Sequence, residues 1–230
     1  MKLTGSQALR RLREGNRRFH DGLISLDSLA SHVRRRELSE SQDPIAIVLG
    51  CSDSRAPAEM VFDQGLGDLF VIRVAGNIAA PSQIASIEFA AAAFGTRLVV
   101  VLGHSGCGAV RATLDCLCSD ACCSPALHAI VDRIRPAVEP LLDAEGMEQR
   151  ARLMAASVRA NVRASIAQIR NGSAILQSMI DAGELLIVGA EYSLDSGQVD
   201  FFENPEGDDD GARLAALHAP APQATRALSA

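Results

Sequence analysis

Two short polar stretches, each directly after an apolar run, constrain this chain more than any other feature. The first stretch, CSDSR at 51–55, follows a run that ends at Gly50, and the second, HSGC at 104–107, follows a run that ends at Gly103. Short apolar runs bounded by glycine are typical of buried strands. Ligands bind beyond the carboxyl ends of the strands in an open parallel sheet. We therefore expect the two stretches to meet at one edge of a sheet.

The two stretches supply the donor atoms that zinc prefers. Cys51, His104 and Cys107 offer two thiols and one imidazole. Three protein ligands are typical of a catalytic zinc site, which keeps one position open, whereas a structural site takes a fourth Cys or His. Cys107 lies near the predicted start of a helix, where the helix dipole favours its thiolate. The sequence thus predicts a catalytic metal site.

Asp53 has two alternative roles, and Arg55 decides between them. An ion pair with Arg55 would hold the carboxylate away from the metal and leave it able to accept a hydrogen bond from water. If that pair were broken, the Asp53 carboxylate would complete the ligand set and exclude water. The sequence leaves both alternatives open.

Strands that alternate with helices predict an α/β fold. We expect a mainly parallel central sheet of four strands plus an antiparallel edge strand, flanked by helices, with an N-terminal helical arm. The parallel strands are expected over 44–49, 69–74, 97–102 and 185–188, followed by a hairpin turn at 195–197. The main helices are expected over 83–94, closed by Gly95, and over 126–138 and 148–170. The cysteine-rich residues 114–125 are predicted to be irregular.

The chain is expected to divide into three parts. Residues 1–40 form an N-terminal helical arm, with Ser6 as its first N-cap and a second short basic helix over 31–39. This arm is predicted to pack on a partner subunit, and the alternative is a solvated amphipathic helix. Residues 41–203 form a zinc-containing catalytic α/β domain. Residues 204–230 are rich in acidic residues, Pro and Ala, and are predicted to form a polar, disordered tail.

Composition and charge exclude several classes of partner. The 230 residues carry a formal net charge of −6, which argues against nucleic acid or an anionic membrane. No apolar run approaches the ~20 residues needed to cross a bilayer. The first residues lack a signal-peptide core, so the expected location is the cytoplasm. There the six cysteines are expected to bind metal or stay reduced rather than form a disulfide framework.

The combined pattern resembles the β-class carbonic anhydrases. The resemblance rests on Cys-x-Asp-x-Arg followed by His-x-x-Cys, and it includes DQGLGDLF at 63–70, RVAGN at 73–77 and GHSGCG at 103–108. It implies one Zn²⁺ per subunit, bound by Cys51, His104 and Cys107, with Asp53 and Arg55 as the catalytic dyad. It also implies a homodimer or a dimer of dimers with active sites at the subunit interface.

The resemblance further implies a reaction and a substrate pocket. The reaction is the reversible hydration of carbon dioxide to bicarbonate and a proton, by hydroxide formed at the zinc ion. Gln42, Phe70 and Phe89 match family positions that line the pocket, and Gly108 is assigned to the same pocket. Because two thiolates cancel the charge of the zinc ion, hydration is expected to speed up as the pH rises toward ~8 or above.

Some members of this family carry a bicarbonate-binding switch pocket built from Trp, Arg and Tyr. Arg73 and Tyr192 match two of these positions, but Val48 stands where the Trp would be. This difference implies an open form, with water at the zinc ion at neutral pH.

Two rival functions remain at the level of the sequence. The same site would also suit hydrolysis of carbonyl sulfide or carbon disulfide. A non-catalytic zinc or thiol-redox module is the alternative from a different class. The one sequence feature that favours this alternative is a group of four cysteines, which are Cys116, Cys118, Cys122 and Cys123.

Overall fold

The computed structural model describes residues 2–24, 35–36, 38–118, 124–142 and 147–203. The strands are β1 (Ala46–Gly50), β2 (Leu69–Arg73), β3 (Leu98–His104), β4 (Leu186–Tyr192) and β5 (Val199–Glu203). They form one five-stranded sheet in the order β2-β1-β3-β4-β5. All neighbouring strands are parallel except β4 and β5, which are antiparallel. The predicted fold class is therefore confirmed.

Helices connect these strands and cover both faces of the sheet. They are α1 (Gly5–His20), α2 (Ala58–Val61), α3 (Pro81–Phe94), α4 (Gly108–Cys118), α5 (Pro125–Val138), α6 (Met147–Gly172) and α7 (Ala174–Asp181). Two 3-10 turns accompany them, over Ala75–Asn77 and Glu139–Leu141. In the described ranges, no helix combines the length and the apolar character that crossing a membrane requires.

Helix α1 begins earlier than the sequence predicted. Its N-cap is Thr4, whose hydroxyl accepts a hydrogen bond from the backbone N–H of Gln7 at 3.2 Å. The Gln7 side chain in turn accepts a hydrogen bond from the Thr4 N–H at 2.9 Å. Because this capping box satisfies two backbone donors at once, it fixes the start of the helix at Gly5. The prediction of Ser6 as the N-cap is wrong.

Helix α4 extends through part of the segment predicted to be irregular. It runs as far as Cys118, so the prediction for 114–125 is wrong up to that residue, and residues 119–123 lie outside the described ranges. Cys116 is disulfide-bonded, whereas Cys118 is a free and exposed thiol. The expectation of reduced or metal-bound cysteines is therefore wrong for Cys116.

The sheet buries a separate apolar core on each face. On one face, Leu9 and Leu12 of α1 pack with Val48, Val100 and Val188 of the sheet. On the other face, residues of α3, α6 and α7 pack with the opposite side chains of the same strands. Helix α1 thus covers the core of its own chain, and its predicted contact with a partner subunit stays a prediction. Most of the second predicted helix (31–39) and the whole tail (204–230) lie outside the described residues.

The strand order places the two polar motifs side by side. β1 and β3 are parallel neighbours, and Gly50 at the end of β1 pairs in register with Leu102 of β3. The chain leaves β1 toward β2 on one side and later returns to β3 on the other. Such a reversal of strand order opens a crevice at the carboxyl ends of the two strands.

Candidate metal centre

Three side chains that can bind a metal converge in this crevice. Cys51 directly follows β1, His104 is the last residue of β3, and Cys107 directly precedes α4. The two Sγ atoms lie 4.0 Å apart, and all three donor atoms lie within 4.8 Å of one another. Exposed fractions of 6% for Cys51, 0% for His104 and 1% for Cys107 show that the cluster is buried.

The arrangement of His104 fits a metal ligand. Its Nδ1 lies 3.0 Å from the carbonyl oxygen of Ser105, so Nδ1–H donates there and Nε2 is the ring nitrogen that is left for a metal. Within the described residues, Nε2 is buried and has no hydrogen-bond partner. A buried polar atom without a partner is costly unless a ligand meets it.

The spacing of the two sulfurs also fits zinc. Sulfurs that are each about 2.3 Å from a tetrahedral zinc ion lie about 3.8 Å apart. This value is close to the 4.0 Å between Cys51 Sγ and Cys107 Sγ. The residues present therefore suit a zinc ion with two thiolate ligands and one imidazole ligand.

The two thiols share one proton when no metal is bound. Hydrogen bonds from the Cys107 thiol and from the Gly76 N–H, which lies 3.3 Å from Cys51 Sγ, lower the pKa of Cys51 to about 4. The pKa of Cys107 is raised because its thiol donates to Cys51 and is buried. The surroundings of Cys51 thus favour its thiolate form. A bound cation must displace the remaining proton.

Asp53 and Arg55 form an ion pair, which is the first of the two roles predicted for Asp53. Arg55 Nε donates to Asp53 Oδ1 at 2.9 Å, and Arg55 Nη2 donates to Asp53 Oδ2 at 2.7 Å. These hydrogen bonds hold the pKa of the Asp53 carboxyl well below its usual range. Asp53 Oδ2 lies 3.8 Å from His104 Nε2, so the carboxylate stands beside the cluster while Arg55 engages both of its oxygens.

Arg73, the last residue of β2, fixes the loop that carries Cys51 and Asp53. Its Nε donates to the Cys51 carbonyl at 3.0 Å, and its Nη2 donates to the Asp53 carbonyl at 2.7 Å. Tyr192 is buried and pairs in register with His104, and Val48 is buried inside β1. The guanidinium of Arg73, which matches one position of the switch pocket, is thus hydrogen-bonded to the backbone of its own chain.

The structure does not bring the other predicted pocket residues to the cluster of the same chain. Gly108 does lie there, as the first residue of α4. Phe70 pairs with Ile47, four residues before Cys51, which corresponds to about 13 Å along the strand. Phe89 packs against Phe70 with ring centroids 6.3 Å apart, and the exposed Gln42 precedes β1. These three residues lie toward the amino end of the sheet.

Sequence reasoning missed the groups that lie behind Cys51. The Gly76 N–H donates to Cys51 Sγ, and Asn161 and Ser165 of α6 donate to the turn that contains Gly76. The available signal was a set of small polar residues at helical spacing among apolar residues of α6. A pattern of that kind is easily taken for a solvated helix face.

Comparisons with known proteins agree with this geometry. The family model described as carbonic anhydrase matches residues 46–199. A carbonic anhydrase of Mycolicibacterium smegmatis is 38% identical over 193 residues, which cover 84% of this chain and 91% of that protein. Carbonic anhydrase 2 of Mycobacterium tuberculosis is 36% identical over 196 residues, which cover 83% of this chain and 89% of the relative.

Solved structures show the same architecture. A β-carbonic anhydrase of Aspergillus fumigatus superposes with a TM-score of 0.65 at 25% identity, covering 93% of this chain and 98% of the other. One of two tetrameric β-carbonic anhydrases from Sordaria macrospora gives a TM-score of 0.63 at 26% identity, covering 73% and 84%. Together with the family match and the buried Cys-His-Cys cluster, these similarities show that the chain belongs to the β-carbonic anhydrase family.

Proposed function

We propose that this enzyme catalyses the reversible hydration of carbon dioxide to bicarbonate and a proton, with one Zn²⁺ ion per subunit. Cys51, His104 and Cys107 would hold the ion. The observation that carries the proposal is the buried Nε2 of His104, which lacks a described hydrogen-bond partner and lies within 4.8 Å of both sulfurs. Family membership and the names of the relatives support the same reaction.

Zinc, when bound, supplies a Lewis acid that lowers the pKa of water and makes hydroxide available for attack on carbon dioxide. The chain supplies three ligands, which is the number that leaves one position of a tetrahedral site open. Cys51 and Cys107 would both bind the ion as thiolates, so the chain would place two negative charges beside it.

Asp53 and Arg55 orient the reacting water. The Asp53 carboxylate is ionised because Arg55 stabilises its charge, and it lies 3.8 Å from His104 Nε2, where it can accept a hydrogen bond from a reacting water. Two side-chain hydrogen bonds from Arg55 keep both carboxylate oxygens in a fixed orientation. Arg73 holds the backbone of the same loop, so the direction of the Asp53 side chain is set from two sides.

We also propose that the pocket is completed by a second copy of the chain, in a homodimer or a dimer of dimers. Gln42, Phe70 and Phe89 lie away from the metal centre of their own chain, and Phe89 is 57% exposed. A partner chain would bring these side chains to the open side of the cluster. The tetrameric relatives from Sordaria macrospora support this arrangement. The N-terminal arm, residues 1–40, would pack across the same interface.

Stopped-flow carbon dioxide hydration, with zinc content measured on the same samples, tests the proposed reaction. Cys107→Ser is expected to lose zinc and at least 100-fold in hydration rate, because one of three ligands is removed. Cys118→Ser makes the same chemical change at the exposed end of α4 and is expected to retain both zinc and activity. Full activity in a zinc-free Cys107→Ser enzyme would contradict the proposal.

The substrate assignment is tested by a parallel assay. If the zinc-containing wild-type enzyme hydrolyses carbonyl sulfide but does not hydrate carbon dioxide, the proposed substrate is wrong and carbonyl sulfide replaces it. Wild-type enzyme that retains zinc and has neither activity would favour a non-catalytic zinc module.

A further inference from the structure

Helix α6 carries a row of buried polar side chains. Ser157, Asn161 and Ser165 follow one another at intervals of four residues and therefore lie on one face of the helix. Their exposed fractions are 0%, 1% and 1%. Polar groups at this depth are costly unless they are hydrogen-bonded, so their partners indicate what they do.

Two of the three side chains hold the same 3-10 turn, Ala75–Asn77. Asn161 Nδ2 donates to the Gly76 carbonyl at 2.7 Å, and Ser165 Oγ donates to the Asn77 carbonyl at 3.0 Å. The third residue, Ser157, has no hydrogen-bond partner for its hydroxyl among the described residues. The row thus contains two groups bonded to the turn and one chemically similar group that is not.

The turn benefits from outside support because Asn77 adopts a backbone conformation that is unfavourable for a residue with a side chain. Gly76 has φ +71° and Asn77 has φ +43°, so two successive residues adopt the left-handed region. Glycine adopts this region without steric cost, so the penalty falls on Asn77, where it is modest for an Asn and is offset by the surrounding structure. The two hydrogen bonds from α6 supply that support.

The same turn contacts the metal centre. The N–H of Gly76 donates to Cys51 Sγ at 3.3 Å, and its carbonyl accepts from Asn161. One residue therefore connects a buried amide on α6 with the sulfur of Cys51. We propose that Asn161 is a positioning residue of the metal centre, which holds Gly76 so that its N–H points at Cys51, and that Ser165 supports the same turn. This inference rests on the proposed role of Cys51 as a zinc ligand.

Zinc retention by the full-length, zinc-loaded enzyme tests this role. Asn161→Leu keeps the approximate size of the side chain and removes the amide, and its zinc affinity in chelator competition is expected to fall about 10-fold, as for partners that orient ligands. Ser165→Ala is expected to lose about threefold. Ser157→Ala is the matched control. It removes a buried hydroxyl on the same face of α6, and this hydroxyl has no hydrogen-bond partner among the described residues. It is expected to stay within about twofold of wild type.

A spectroscopic measurement separates positioning from general loosening of the fold. In the cobalt-substituted enzyme, the sulfur-to-metal charge-transfer band reports the thiolate environment. The band is expected to shift in Asn161→Leu and Ser165→Ala but not in Ser157→Ala. If Asn161→Leu does not fold, the pair of serine variants decides alone.

The inference is overturned if Asn161→Leu and Ser165→Ala match Ser157→Ala in zinc affinity and in the cobalt band. It is also overturned if Ser157→Ala loses as much affinity as the other two variants. Wild-type enzyme that binds no zinc would overturn the proposed function itself, and that outcome is visible before any variant is made.

Discussion

Gly76→Ala is the substitution that most directly tests how the fold prepares the metal centre. A Cβ atom at this position would lie 2.8 Å from Ile134 Cδ1 and 3.0 Å from Ala109 Cβ. Both neighbours belong to helices that pack around the turn, and Ile134 is fully buried. The φ of +71° adds a second penalty, because a side chain is disfavoured in the left-handed region.

The size of the effect follows from these two contributions. The left-handed conformation costs about 1–2 kcal/mol for alanine. Alanine also reduces the conformational entropy of the unfolded chain, which offsets about 0.5–1 kcal/mol of this cost. Overpacking of a filled core adds about 1–3 kcal/mol. We therefore expect Gly76→Ala to lower the free energy of unfolding by about 3 kcal/mol. For a chain of this length, this corresponds to a decrease of roughly 6–12 °C in Tm.

Gly95→Ala is the matched control for this experiment. Gly95 has φ +61° at the end of α3, and a Cβ there would meet no atom within 4 Å. The control thus carries the backbone penalty without the crowding, and its expected loss is about 1 kcal/mol. Calorimetry or urea unfolding of the zinc-loaded enzyme measures both variants, and zinc retention is measured in parallel. Equal destabilisation of the two variants, with zinc affinity unchanged in Gly76→Ala, would refute the reasoning.

Three further predictions concern the dyad, the first helix and the pocket. Arg55 lowers the pKa of Asp53, so Arg55→Met should raise that pKa and shift the acid limb of the rate profile for carbon dioxide hydration to higher pH; an unshifted limb would contradict this. Asn16→Ala removes one buried and two partly buried hydrogen bonds, so urea unfolding should show a loss of about 3 kcal/mol, and a loss below ~1 kcal/mol would argue against it. Phe89→Ala should lower kcat/KM about 10-fold with zinc content unchanged if the partner chain uses this ring, whereas Ile175→Ala, at a similarly exposed residue, should not.

The Asp53–Arg55 pair also has a defined effect on stability. The folded-state pKa of Asp53 lies below its ordinary value, because Arg55 stabilises the carboxylate. The contribution of the pair is therefore present above the ordinary carboxyl pKa and is lost as the pH falls through the lowered one. Acid unfolding should begin at higher pH in Arg55→Met than in wild type.

The sequence predicted the parts of the site that depend on local order. The metal-binding residues follow apolar runs, and parallel strands bring the ends of such runs to one edge, so the convergence of Cys51 and His104 was readable from the motifs. Gly95 was predictable as the end of α3, because helices commonly end with a glycine in the left-handed conformation. The structure gives Gly95 that conformation, with a φ of +61°. Thr4 was also readable as the first cap, because Gln7 stands three residues after it as a capping box requires, whereas Leu9 stands three residues after Ser6.

Contacts between distant segments were not predictable in the same way. Asn161 and Ser165 lie 85 and 88 residues from the carbonyls that they hold, and no local pattern specifies that distance. The Gly76 N–H that donates to Cys51 Sγ comes from a residue 25 positions along the chain, so it reaches the site only in the folded protein. The position of Phe89, away from the metal centre of its own chain, was not predictable from the motif match, because a motif gives a residue type and not its place in the folded chain.

Zinc-edge X-ray absorption of the purified wild-type enzyme tests the central claim most directly. If Cys51, His104 and Cys107 hold the ion, the spectrum should show one zinc per chain with two sulfur neighbours at about 2.3 Å and nitrogen or oxygen neighbours at about 2.0–2.1 Å. A first shell without sulfur, or with four sulfurs, would contradict the account.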